Sequence, residues 1–148
     1  MRVDFYHLQS SPIERALPLL LERVMAAGQR AVVLAASEER VEALANLLWT
    51  YNPDTWLAHG TLKDGHAADQ PIWLTTAEEN PNGAGVLVLT DGMSLERMTG
   101  FERCLDLFDG TSDEATAAAR ARWAQAKSQG FELHYWQQSE AGWKEKQA

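Results

Sequence analysis

Apolar positions in this chain come in short blocks divided by polar turns, and the spacing within each block identifies its element. Residues 2–8 (RVDFYHL) are β-branched and aromatic and predict a strand. Ser11, Pro12 and Glu14 then predict a helix start, with Pro12 in the first helical position and Glu14 completing a capping box. Ile13, Leu17, Leu20, Leu21 and Val24 recur at helical spacing and Gly28 supplies a stop, while Pro18 predicts a kink or a late start. Residues 31–36 (AVVLAA) form a continuous apolar run, the pattern of a strand covered on both faces. Ser37 caps a second helix, whose Val41, Leu44, Leu47 and Leu48 lead to Trp49.

The second half repeats this alternation less regularly. Asn52-Pro53-Asp54 is a turn, residues 56–58 a short apolar stretch and 60–70 a polar loop. Residues 71–76 (PIWLTT), 86–90 (VLVLT) and 104–108 (CLDLF) predict three strands, and 131–136 (FELHYW) a last one. A final helix starts near Ser112, carries Asp113 and Glu114 on its positive end, and stops before Gly130. Strands alternating with helices, without repeat or linker, predict one α/β domain over residues 1–148. Its central sheet should be largely parallel and flanked by helices.

Such a fold invites a nucleotide, whose phosphates need glycine-rich backbone directly after a strand. Gln9-Ser10-Ser11-Pro12 follows the first strand and Ser37-Glu38-Glu39-Arg40 the second, with no glycine in either. Residues 86–91 resemble an apolar strand ending in a magnesium-holding Asp91, but no phosphate loop accompanies it. Cys104 lies in an apolar strand away from positive charge and reads as an inert core thiol. His59 and His66, with Asp64 and Asp69, have no metal-ligand spacing. No catalytic residue, metal or cofactor is therefore expected, and binding is the remaining class of function.

Composition narrows the binding. The net charge of −8 over 148 residues opposes a surface built for a phosphate backbone. Residues 1–114 carry 8 basic and 18 acidic side chains, a balance of −10, whereas residues 115–148 carry 5 and 3, a balance of +2. That balance is either scatter in a short window or a local basic site suited to a small acidic ligand. A single cysteine, no apolar run of spanning length and no signal-peptide pattern make a soluble cytoplasmic protein the expectation, without membrane contact. Six tryptophans cluster, with Trp49 and Trp56 around a polar turn, where large rings mark protein interfaces. Arg120, Trp123 and Lys127 fall at i, i+3 and i+7 of the last helix, placing two cations and a ring on one face.

FYHL at 5–8, Gly28-x-Arg30 before AVVLAAS, LLWTYNPDTWLAHG at 47–60, FERCLDLFDG at 101–110 and ARARWAQAKSQGFEL at 119–133 together resemble the chi subunit family of bacterial DNA polymerase III. The resemblance implies a nucleotide-binding-like α/β fold without a phosphate loop. It also implies a non-catalytic adaptor with two protein sites. One, matching Trp49 and Trp56 with His59, takes the psi subunit or a psi-like clamp-loader partner, and in some bacteria a helicase at the same surface. The other, matching Arg120, Trp123 and Lys127, takes the acidic, phenylalanine-terminated tail of single-stranded-DNA-binding protein, so that DNA is met only indirectly. Better-known members carry lysine where this chain has Thr116 and Ala124, and Tyr where it has Trp123, which implies a weaker or differently centred tail site. A degenerate nucleotide-dependent hydrolase and a direct single-stranded-DNA binder stand as alternatives.

Overall fold

A computed structural model describes residues 1–94, 100–139 and 142–146. The chain runs β1 (Arg2–Leu8), α1 (Ile13–Ala26), β2 (Ala31–Leu34), α2 (Glu38–Thr50), a 3-10 turn at Ala67–Asp69, β3 (Ile72–Thr75), β4 (Val86–Leu89), β5 (Arg103–Asp109), α3 (Asp113–Ser128), β6 (Glu132–Ser139) and β7 (Gly142–Lys146). The strands form one sheet in the order β3-β2-β4-β5-β1-β6-β7. Every pairing is parallel except that of β7 with β6. The α/β fold and largely parallel sheet expected from the sequence are both present.

The sheet is buried on two faces because alternate strand residues point to opposite sides. On one face Leu17 and Leu21 of α1 and Leu44 and Leu48 of α2 pack over Val33, Leu74, Val88 and Leu107. On the other, α3 lies over β5, β1 and β6, with Phe5, Cys104 and Phe108 beneath Ala119 and Trp123. Only Ala119 and Ala126 of α3 are buried, and these small residues let the helix sit close to the strands. Strands β2, β3 and β4 therefore offer side chains to two cores, which is why they read as unbroken apolar runs.

Three local expectations are corrected. Pro12 is itself the N-cap residue of α1, without a side-chain cap bond, so the Ser11–Glu14 capping box does not form. Ser11 Oγ instead accepts from Gln138 Nε2 at 2.5 Å. Of the two outcomes expected at Pro18, the late start does not occur: α1 begins at Ile13 and runs through Pro18, whose ring is buried. The C-terminal strand extends to Ser139 and is followed by β7, whose GWKEK pattern exposes four of its five residues. The caps at Ser37 and Ser112 do form, accepting from the N–H groups of Arg40 and Ala115 at 3.2 Å each.

Candidate functional site

At the β3 end of the sheet, α2 finishes with Trp49 in its last turn and the chain returns past Trp56 and His59 to Gly60, which bridges to Trp73 of β3. Trp49 and Trp56 remain 54% and 69% exposed. Their ring centroids are 6.5 Å apart, and Trp49 lies 4.6 Å from His59. His59 is buried, its Nδ1 donates to the Leu57 carbonyl at 2.7 Å, and its Nε2 has no protein partner. The three residues expected to act together are thus brought together, with His59 as a rigid floor and the two indoles as the outer surface. Leu62, on the following turn, is also exposed and was not singled out from sequence.

The other end of the sheet is basic. Arg120 and Lys127 are exposed on α3, and half-buried Trp123 between them packs against Phe5 and Tyr135 at centroid distances of 5.2 and 5.8 Å. Tyr135 reaches across from β6, where its hydroxyl meets His7 Nδ1 at 2.5 Å. Burial pushes the Tyr135 hydroxyl up, with the positive charge of Arg120 pulling it the other way. In the antiparallel register Lys146 opposes Tyr135 and Lys144 opposes Gln137, and opposed residues share a face. Both lysines therefore project on the α3 side, alongside Tyr135. The α3 side of this end thus carries the paired rings of Trp123 and Tyr135, with the cations Arg120 and Lys127 on α3 and Lys144 and Lys146 on β7. The sequence revealed the helical half of it, but the strand half became visible only through the β6–β7 pairing.

Two buried carboxylates lie beneath these surfaces. Asp106 accepts from Arg122 Nε at 2.6 Å and Nη2 at 2.9 Å, a bidentate pair that fixes α3 to β5. Burial pushes the Asp106 carboxyl up, against the downward pull of Arg122. Asp4 accepts from Arg103 at 2.8 Å, from Arg2 at 3.0 Å and from Trp136 Nε1 at 2.9 Å, joining β1, β5 and β6 on the opposite face. Burial alone would raise its carboxyl, but the hydrogen bonds from Arg2, Arg103 and Trp136 outweigh that and hold it below the usual range. Cys104 is fully buried and its thiol is pushed up by desolvation.

A cavity of about 740 Å³ opens at the C-terminal ends of β1 and β5, the place where open α/β sheets take ligands. Its walls carry Glu14, Asp91, Asp109 and Glu114, which suit a phosphate poorly. Asp91 is held by Arg40 at 3.2 Å and by the Ala36 N–H at 3.2 Å, so it is committed to structure and not poised for magnesium. Among the described residues no group of three or more His, Cys, Asp or Glu is placed to hold a metal, and no helix is long and apolar enough to cross a membrane.

Comparison with protein families matches residues 1–134 to the DNA polymerase III chi subunit, HolC. The chain belongs to the chi subunit family. Among proteins of known assignment, it is 28% identical over 105 residues to a probable DNA polymerase III subunit chi of Rickettsia prowazekii (strain Madrid E). That match covers 71% of this chain, which spans 64% of the length of the relative. The stretch matched to the chi family contains Trp49, Trp56, His59, Arg120, Trp123 and Lys127, whereas β7 with its two lysines lies beyond it.

Proposed function

We propose that this protein is a non-catalytic adaptor of the DNA polymerase III clamp loader. Trp49, Trp56 and His59 anchor psi or a psi-like clamp-loader partner, and a helicase is an alternative occupant of that surface. The surface formed by Arg120, Trp123, Tyr135 and Lys127 takes the acidic C-terminal tail of single-stranded-DNA-binding protein. One observation carries this reading: two surfaces of opposite character lie at opposite ends of one sheet. Exposed indoles flank β3, and cations flank β6 and β7.

The chemistry fits both ligands. An indole pair on a rigid support loses little conformational freedom on docking, as interface anchors require. A phenylalanine-terminated acidic tail needs an aromatic wall for the ring and a fork of donors for the carboxylate, which Arg120 supplies better than a lysine can. Burying the ring contributes roughly 1.5–3 kcal/mol, and each exposed charge pair only about 0–1 kcal/mol. Affinity is therefore expected to be in about the micromolar range and to fall as salt rises.

A synthetic acidic peptide ending in Phe tests this by calorimetry. The wild type should bind it, Arg120→Ala should weaken binding by up to roughly fivefold, and removal of the terminal Phe should weaken it by roughly ten- to a hundredfold. Unchanged affinity for Arg120→Ala, Lys127→Ala and their combination would remove the tail from this surface.

A further inference from the structure

The backbone N–H groups of Gln9, Ser10 and Ser11 converge on one atom, Oε1 of Gln138, at 3.0, 2.9 and 3.0 Å. Gln138 Nε2 donates to Ser11 Oγ at 2.5 Å, so both ends of the carboxamide are engaged. These donors sit directly after β1 and before α1, where successive N–H groups in other α/β proteins form a concave nest for an oxyanion. Here the acceptor comes from β6, more than 120 residues along the chain. A neutral carboxamide oxygen has two lone pairs, yet three donors point at it. The nest is thus more electropositive than its occupant satisfies.

We propose that Gln138 is an internal ligand standing in the place of an oxyanion, and that it latches the β6–β7 hairpin to the β1–α1 loop. Gln138 lies near the closed end of this hairpin, paired with Trp143. Trp143 packs edge-on against Tyr6 at 5.0 Å, so the latch and the ring hold β7 from the same face. The opposite face of the hairpin carries Tyr135, Lys144 and Lys146. Gln138 is accordingly a positioning residue for that basic surface, and this holds whatever ligand the surface takes. It also occupies the three amides that a phosphate would need in this loop.

Two variants of the full chain test the latch. In Gln138→Glu a carboxylate brings a full charge and up to four acceptor sites to the same three donors, while the Ser11 hydroxyl turns to donate. Its melting temperature at pH 7 should exceed that of the wild type by a few degrees, on the order of 2–6 °C. The nest lowers the folded pKa of the new carboxyl below its unfolded value. The gain is therefore present above the unfolded pKa and lost as pH falls through the folded one. In Gln138→Ala, hydrogen exchange followed by NMR should quicken about tenfold or more at the amides of residues 9–11, and also across the β6–β7 pairs. A Gln138→Glu protein that melts below the wild type at pH 7 overturns the oxyanion reading. Unchanged exchange in the loop or in the hairpin of Gln138→Ala overturns the latch. If Gln138→Ala does not fold, the Gln138→Glu melt decides.

Discussion

Truncation of Trp56 separates an interface ring from a core ring by magnitude. A tryptophan side chain offers about 250 Å² of surface, and 69% exposure leaves about 170 Å² of it for a partner to cover. At about 25 cal/mol/Å² that is an upper limit of about 4 kcal/mol on binding. The fraction already covered, about 80 Å², limits the folding cost of Trp56→Ala to about 2 kcal/mol. The same reckoning gives Trp49, at 54% exposure, about 3.4 kcal/mol of available binding. Both variants should keep a cooperative melt and lose about 2–4 kcal/mol of affinity for psi or its counterpart, a weakening of roughly 30- to 1,000-fold. Trp73 is the internal control. It is 2% exposed, with Nε1 donating to Glu79 at 2.8 Å, and Trp73→Ala should cost about 3–5 kcal/mol of stability. Melting curves and calorimetry with a clamp-loader partner purified from the native host provide both quantities. Wild-type affinity in both surface variants refutes the anchor, and loss of the cooperative melt in either would falsify its interfacial placement.

Two further predictions concern the buried carboxylates. Asp4 has its folded pKa lowered, so its contribution to stability is present above the unfolded value near 3.9 and lost as pH falls through the folded one. Asp4→Asn should reduce stability at pH 7 by about 1–3 kcal/mol and flatten the acid limb of a melting-temperature-versus-pH series; an unchanged limb contradicts the assignment. Arg122→Ala strands the Asp106 carboxylate in a site where the pair is almost fully covered and should cost about 3–5 kcal/mol. Because burial already pushes Asp106 up, this variant should gain stability relative to wild type as pH falls, and the joint replacement Arg122→Met with Asp106→Leu should restore most of the loss in a denaturant titration.

The fold was legible because apolar run and helical period carry it. The sequences of β2, β3 and β4 admit little other than doubly covered strands, and Ser37 and Ser112 marked two helix starts that form as read. The failures arise where a residue far along the chain decides a local structure. Ser11 and Glu14 have capping-box spacing, but the Ser11 hydroxyl is taken by Gln138, and no window of local sequence holds that information. In β7 only Trp143 turns inward, a single ring in a polar pentapeptide that shows no periodicity until it pairs with β6. The candidate site residues divide in the same way. Arg120, Trp123 and Lys127 follow from helical spacing, and Trp49 and Trp56 from large rings beside a turn. Tyr135, Lys144 and Lys146 required the register.

Sheet order also reconciles an acidic chain with the acidic ligand proposed for it. Six inter-strand steps separate β3 from β7, and at about 4.8 Å each they place the two ends roughly 29 Å apart. The screening length at physiological salt is about 8 Å, so an acidic peptide approaching the β6–β7 end would respond to the charges there and not to the total of −8. On the α3 side of that end the cations are Arg120, Lys127, Lys144 and Lys146. Glu132 and Glu145 belong to the other face of the hairpin, where both are drawn to His134. The nearest acidic side chains of β6 and β7 are thereby turned away from the ligand side. On the proposed reading, a tail site at the β6–β7 end would stand clear of the indole surface at the β3 end.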